Sequence, residues 1–387
     1  MEAQKNLLIK TAENIHKSIW ELAWKIGHNP EEGYQEHFAT GLLTSFLKKH
    51  GFEIVTPLAG MDTSFLAKFK GSQPGPKIAF LAEYDALPDI GHACGHHLIG
   101  AASVGAAVAL SLLPNLQGEL VVMGSPAEET SGAKVTLVEA GIFDGIDIAM
   151  MFHPGSCNVP EISSLALDAL EVTFIGRAAH MVIENNNGIN ALDAMLDFFQ
   201  MLDKLKRKLG RDERIDGIIT QGGKSPNIVP DYTAARFYLR ARSRENLDVI
   251  RQKFLRCAQK AAAKVNAQMK WTYFECSYHE MKSNKVLAEC CRQNLILLGV
   301  NEIGPAQTML GSVDMGNVSH VVPAIHPYLR LGTGHEVPHT KEFAAVGLSE
   351  AGEKVLLLAI KLLALTAWDV ISNKKLLTDI RKEFMAK

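Results

Sequence analysis

The sequence predicts an α/β protein of two domains, one inserted into the other. Three observations carry this. The chain has 387 residues, beyond the size at which a single hydrophobic core keeps growing. Near-continuous apolar runs alternate with helical patterns in its first part, as in a sheet covered on both faces. Around Leu165 the pattern changes to strand-helix-strand-strand-helix-strand over roughly a hundred residues, which describes an α+β unit able to fold alone. The larger domain is expected to comprise residues 1–164 and 277–387, and the insert residues 165–276.

In order, residues 7–26 carry Leu8, Ile9, Ile15, Ile19, Leu22, Ala23 and Ile26 at helical spacing. Asn29 and Pro30 break that helix, and a second is expected over 35–50, ending at Gly51. Three apolar strands follow, at 77–82, 119–124 and 146–152, and each finishes in ionisable groups: Glu83 and Asp85, Glu128 and Glu129, and His153. Ligands in such sheets bind beyond the carboxyl ends of the strands, so these groups are expected in one cleft. The small-residue-rich segment 98–112 reads as a buried helix. The insert supplies strands at 169–176, 215–220, 234–241 and 269–275, with helices at 191–209 and 245–267. Helical pattern resumes at 283–298, and a long final helix is expected over 343–372.

Composition excludes several classes. With 42 acidic against 40 basic residues, no polyanionic partner such as nucleic acid is indicated. Cysteines at 94, 157, 257, 276, 290 and 291 show no repeated spacing, and the adjacent pair does not suit a disulfide framework, so a reducing, cytoplasmic setting is expected. The N-terminus lacks the apolar core of a signal peptide. The low-polarity run 98–113 falls short of a membrane span.

The densest chemistry lies in Gly91-His92-Ala93-Cys94-Gly95-His96-His97, which puts a thiol and three imidazoles into one short loop. Thiolate and imidazole are ligands that a borderline-soft divalent ion prefers. Adding Glu128, Glu129, His153 and either His335 or His339 gives enough donors for two ions sharing a water. Such a set suits hydrolysis, with one of the adjacent glutamates as ligand and the other as base.

The sequence resembles the M20 metallopeptidase family, and within it the amidohydrolase branch of aminobenzoyl-glutamate hydrolases, aminoacylases and M20-domain dipeptidases. The resemblance rests on Asn29-Pro30-Glu31, the segments 82–88 and 91–96, Pro126-Ala127-Glu128-Glu129, His153-Pro154-Gly155, the segments 176–180, 227–231 and 314–319, and Pro338-His339-Thr340, which follow the family order. It implies a zinc-peptidase-like catalytic domain with a mixed central sheet and an inserted ferredoxin-like lid or dimerisation domain. It further implies Cys94, His96, Glu129, His153 and His339 as metal ligands, Glu128 as general base and Asp85 as an orienting group. The choice of His339 over His335 comes from the motif. His180 and Asn227 would come from the lid, typically the partner subunit's, to bind the scissile carbonyl or the substrate carboxylate.

Two departures stand out. His97 occupies a position where relatives carry Asp or Asn, and it is a competing candidate ligand; Glu83 stands where other branches place a ligating histidine. Arg236, Arg240 and Arg242 share one strand face, and Arg240 is taken as the clamp for a substrate carboxylate, although alternation does not separate the three. The expectation is a homodimeric amidohydrolase with two divalent ions per chain, zinc by ligand type with manganese, cobalt or nickel as competitors. It would act on N-acyl amino acids or short dipeptides. Its rivals are a metal-free binding protein of the same fold and a thiol hydrolase with Cys94 as nucleophile.

Overall fold

The computed structural model describes residues 2–180 and 187–386. The chain divides into two units, the first comprising Met1–Ser163, Met281–Met309 and Asp314–Lys387 and the second Ser164–Glu280 and Leu310–Val313.

In the first unit, α1 (Glu2–His28) and α2 (His37–Lys49) precede β1 (Glu53–Val55), β2 (Phe65–Lys70), β3 (Gln73–Ala82), α3 (His96–Ser111), β4 (Gln117–Gly124), α4 (Ala133–Glu139) and β5 (Ile148–Met150). The six-stranded sheet runs β1-β2-β4-β3-β5 and ends on Ala324–Ile325. It is mixed: β3 lies parallel to β4 and β5, while β2 is antiparallel to β1 and β4. The inner ends of β3 and β4 are fully buried, which their lack of polar alternation demanded. Parallel pairing sets Ala82 beside Gly124, so the segments leaving β3 and β4 emerge together.

Helix α3 is buried along nearly its whole length and packs against β3, α1 and the helix Glu350–Ser372. Its glycines allow that approach. A Cβ at Gly100 would sit 2.6 Å from the Glu83 carbonyl oxygen, and one at Gly105 2.9 Å from Ile360. Glu350–Ser372 is apolar and long enough to cross a membrane by composition alone. Here it buries Leu356, Ala359, Ile360 and Leu363 against neighbouring helices.

The expected final helix differs. It is two helices, Lys341–Gly347 and Glu350–Ser372, divided where the Ser349 hydroxyl accepts from the Ala351 amide at 3.2 Å. The apolar period runs through the break, so periodicity alone did not mark it. A further helix, Lys374–Met385, begins at Asn373, whose side chain caps Lys375 and Leu376.

The second unit is a four-stranded antiparallel sheet with two helices. Its strands Ala166–Ile175, Arg214–Gln221, Tyr232–Ala241 and Gln268–Tyr273 lie in the order fourth, first, third, second, the ferredoxin-like arrangement. Helices Ala191–Lys206 and Arg244–Val265 start at Asn190 and Ser243, whose side chains accept backbone amides. Between sheet and helices Phe198 lies edge-on to Phe174, Phe237 and Phe254.

A buried charge cluster ties the first unit's strand ends together. The Lys134 ammonium, at the start of α4, donates to Glu83 Oε1 at 2.5 Å and Asp314 Oδ1 at 2.7 Å, with all three side chains shielded from water. Asp314 also accepts from the Lys134 amide at 3.1 Å.

This packing sets the stability expected of two variants. Phe198→Ala should destabilise the second unit by about 3–5 kcal/mol, read by urea unfolding; a change below about 1 kcal/mol would contradict the packing described. Lys134→Met strands two buried carboxylates and should cost about 3–5 kcal/mol, most of it regained on adding Glu83→Gln and Asp314→Asn. No recovery in the triple variant would show that charge does not set the loss.

Candidate metal centre

The loop after β3 turns tightly to bring its donors inward. Gly95 has φ +83° as the N-cap of α3, and a Cβ there would lie 2.5 Å from Pro154, so the loop is pressed against the segment that carries His153. Cys94 Sγ lies 3.4 Å from His153 Nε2. His339 enters through its backbone, its amide donating to the Ala93 carbonyl at 2.9 Å and its φ at +64°. Its Nε2 then stands 3.3 Å from Glu129 Oε1.

His96 is at the middle of the set. Its Nδ1 is 2.8 Å from Asp85 Oδ1, and Asp85 Oδ2 accepts the Glu129 amide at 2.9 Å. Its Nε2 faces Glu83 at 3.5 Å and Glu128 and Glu129 at 3.8 Å each. Three overlapping groups have their donor atoms within 4.8 Å of one another: Cys94, His96 and His153; Cys94, Glu129 and His339; His96, Glu128 and Glu129. One thiol, three imidazoles and two carboxylates are the donors that zinc and similar ions take. His96 Nε2 is buried without a hydrogen bond among the described residues, an orphan that a cation would satisfy. The residues present therefore fit a divalent metal.

The adjacent glutamates are driven in opposite directions. Burial, reinforced by the charges of Glu83 and Asp314, pushes the Glu128 carboxyl well above the usual range. Burial acts the same way on Glu129, but the hydrogen bond from His339 and the charge of His96 prevail and bring it down to about 2. Glu83 likewise falls to about 2, since Lys134 and His96 outweigh burial. Burial takes His153 down to about 4 and lifts the Cys94 thiol well above its ordinary value, which leaves Cys94 a poor nucleophile on its own.

Of the residues singled out from sequence, Asp85, Cys94, His96, Glu128, Glu129, His153 and His339 come together. His335 does not: it is exposed and belongs to none of these groups. Nor does His97 compete as a ligand, because its Nε2 lies 3.2 Å from the Gly347 carbonyl and its ring packs on Gly27 and His92. His180 and Asn227 belong to the second unit, where His180 bridges to Ile228 and Asn227 Oδ1 accepts from Ser225 at 2.5 Å. Arg236, Arg240 and Arg242 all have acidic neighbours in that unit: Glu171 at 2.8 Å, Asp216 at 3.7 Å and Asp212 at 2.5 Å. Arg240, the clamp chosen from sequence, also lies over the Tyr238 ring.

Sequence reasoning missed Lys134, His326 and Tyr328. Tyr328 stacks on His153 with centroids 4.8 Å apart, and the buried His326 ring lies 5.6 Å from the His153 ring. His326 carried a usable signal, since the apolar pair Ala324–Ile325 extends the sheet parallel to β5 and ends on it, as the other strands end on ionisable groups.

Comparison with known proteins places these features in a lineage. The peptidase dimerisation domain profile matches residues 166–266. The chain is 36% identical to the Xaa-Arg dipeptidase of Mus musculus, covering 100% of this chain and 93% of that protein. It is 25% identical to one of the chains of the p-aminobenzoyl-glutamate hydrolase of Escherichia coli strain K12, over 94% of this chain and 91% of that one. In fold it is similar to a dinuclear metal-binding peptidase of the M20 family from Bacillus subtilis, with a TM-score of 0.71 at 21% identity over 93% of this chain and 99% of that one. With the first of these relatives matched almost end to end, the chain belongs to the M20 metallopeptidase family and is a metal-dependent hydrolase of amide bonds.

Proposed function

We propose that this protein hydrolyses short dipeptides or N-acyl amino acids with two divalent ions held by Cys94, His96, Glu129, His153 and His339, and with Glu128 as general base. The observation that carries the reading is the convergence of these donors, with the adjacent Glu128 and Glu129 each 3.8 Å from His96 Nε2; burial and neighbouring charges raise the Glu128 carboxyl, while His339 and His96 lower that of Glu129. When bound, such ions lower the pKa of water toward neutrality and polarise a carbonyl.

The chain's own groups do the rest. Asp85 fixes the His96 ring so that Nε2 faces the donors, and the Pro154 carbonyl, 2.7 Å from His153 Nδ1, does the same for His153. Glu128 accepts a proton from water and delivers it to the departing nitrogen. His180 and Asn227 serve as donors to the scissile carbonyl or substrate carboxylate, supplied by a partner in a homodimer formed through the second unit. Arg240 is the candidate carboxylate clamp, reached by leaving Asp216.

The name of the mouse relative, Xaa-Arg dipeptidase, points among these substrates to a dipeptide ending in arginine. Zinc suits the thiol and imidazole donors, with manganese, cobalt and nickel as competitors. Six cysteines without repeated spacing fit a reducing cytoplasmic setting.

A panel of Xaa-Arg and Xaa-Lys dipeptides, neutral dipeptides and N-acyl amino acids should show hydrolysis concentrated in the basic dipeptides. Glu128→Gln should lower kcat by roughly 10²–10⁴-fold. No turnover of any panel member, or a Glu128→Gln enzyme within about twofold of the parent, would overturn the reading.

A further inference from the structure

We propose that Glu36 is a positioning residue for the two adjacent acids, acting through the backbone of Ala127. The inference rests on reading Glu128 as the base and Glu129 as a ligand. Ala127 immediately precedes them and is held at φ +55°, a left-handed conformation that a side chain disfavours. That reversal turns the chain after β4, and both glutamates follow from it.

The turn is secured on two sides. The Ala127 carbonyl accepts the amides of Ser131 at 3.1 Å and Gly132 at 2.9 Å, which closes the turn on itself. The Ala127 amide points the other way and donates to Glu36 Oε1 at 2.8 Å. Glu36 is wholly buried, and its second oxygen accepts the Thr63 hydroxyl at 2.8 Å. Thr63 is anchored in turn, its carbonyl accepting from Thr40 Oγ1 at 2.8 Å and Tyr84 Oη at 2.5 Å. The segment before Glu36 is also pressed on the turn, for a Cβ at Gly33 would lie 2.9 Å from the Ala127 side chain and 2.3 Å from Thr130 Oγ1.

Without Glu36 the Ala127 amide is left buried and unpaired. The backbone is then free to leave the left-handed region, and any rotation there sweeps Glu128 and Glu129 away from Cys94 and His96. A neutral glutamine keeps an acceptor for the Ala127 amide, so geometry rather than charge is what position 36 must supply. A glycine at position 127 adopts the same φ without strain, which relieves the demand on Glu36.

The test uses the metal-loaded full chain. Glu36→Ala should keep its far-ultraviolet circular dichroism, lose kcat on the order of 10²-fold and hold KM within about twofold. Glu36→Gln should stay within about threefold of the parent in kcat. Adding Ala127→Gly to Glu36→Ala should recover about tenfold. The visible absorption of the cobalt(II)-loaded protein should change in Glu36→Ala and return in both rescue variants. Should Glu36→Ala not fold, Glu36→Asp, one methylene too short, decides the matter by falling well below Glu36→Gln.

A Glu36→Ala enzyme at parental kcat, equal Asp and Gln variants, or a loss that neither rescue recovers would overturn the inference. Glu128→Gln measured in parallel separates the two levels. An active Glu128→Gln sinks the base assignment, whereas an inactive one beside a fully active Glu36→Ala sinks only the role of Glu36.

Discussion

The structure of the candidate centre depends on the way Asp85 divides its carboxylate. One oxygen holds the His96 ring and the other holds the Glu129 backbone, so the loop after β3 and the turn after β4 are fixed to each other by a single buried side chain. Sheet pairing alone brings those two segments side by side without setting their depth or rotation. The Asp85 bridge ties His96 to the Glu129 backbone, while His339 is held separately through its amide to the Ala93 carbonyl.

Charge is the second constraint. Glu83, Asp85, Glu128, Glu129 and Asp314 are joined through His96 and Lys134 in one cluster, largely withdrawn from water. Lys134 is a fixed cation among them, and it is committed to Glu83 and Asp314. His96 rises well above its ordinary range because Asp85 and Cys94 oppose the effect of burial on it, so the ring is pulled toward a cationic form. A buried cluster with this excess of acceptors is satisfied by divalent cations, and His96 Nε2, without a hydrogen bond among the described residues, marks where one is needed. Burial, reinforced by the charges of Glu83 and Asp314, pushes the Glu128 carboxyl well above its ordinary range.

Much of this was legible in the chain. Apolar runs ending in acids or histidine located Glu83, Asp85, Glu128, Glu129 and His153, because a parallel sheet delivers its strand ends to one side. The strand-helix alternation after Leu165 described the α+β unit that the four-stranded sheet and its two helices form. What stayed hidden depends on tertiary partners. A lysine such as Lys134 looks like a surface residue until two carboxylates surround it, Glu36 looks like an ordinary acid at the N-terminus of α2, and His97 is indistinguishable from a ligand until its ring is found against Gly347. Local capping by Ser349 overrode a continuous apolar period in the last long helix.

The most direct measurement is titration of the chelator-treated, metal-free protein with zinc, following ions bound and protons released. About two ions should bind per chain, with release of protons as the Cys94 thiol and His96 give theirs up, and binding should be lost in Cys94→Ala and His96→Ala variants that remain folded. A folded protein that takes up no zinc, or takes it up equally well without Cys94 and His96, would contradict the assignment of this cluster as the metal centre.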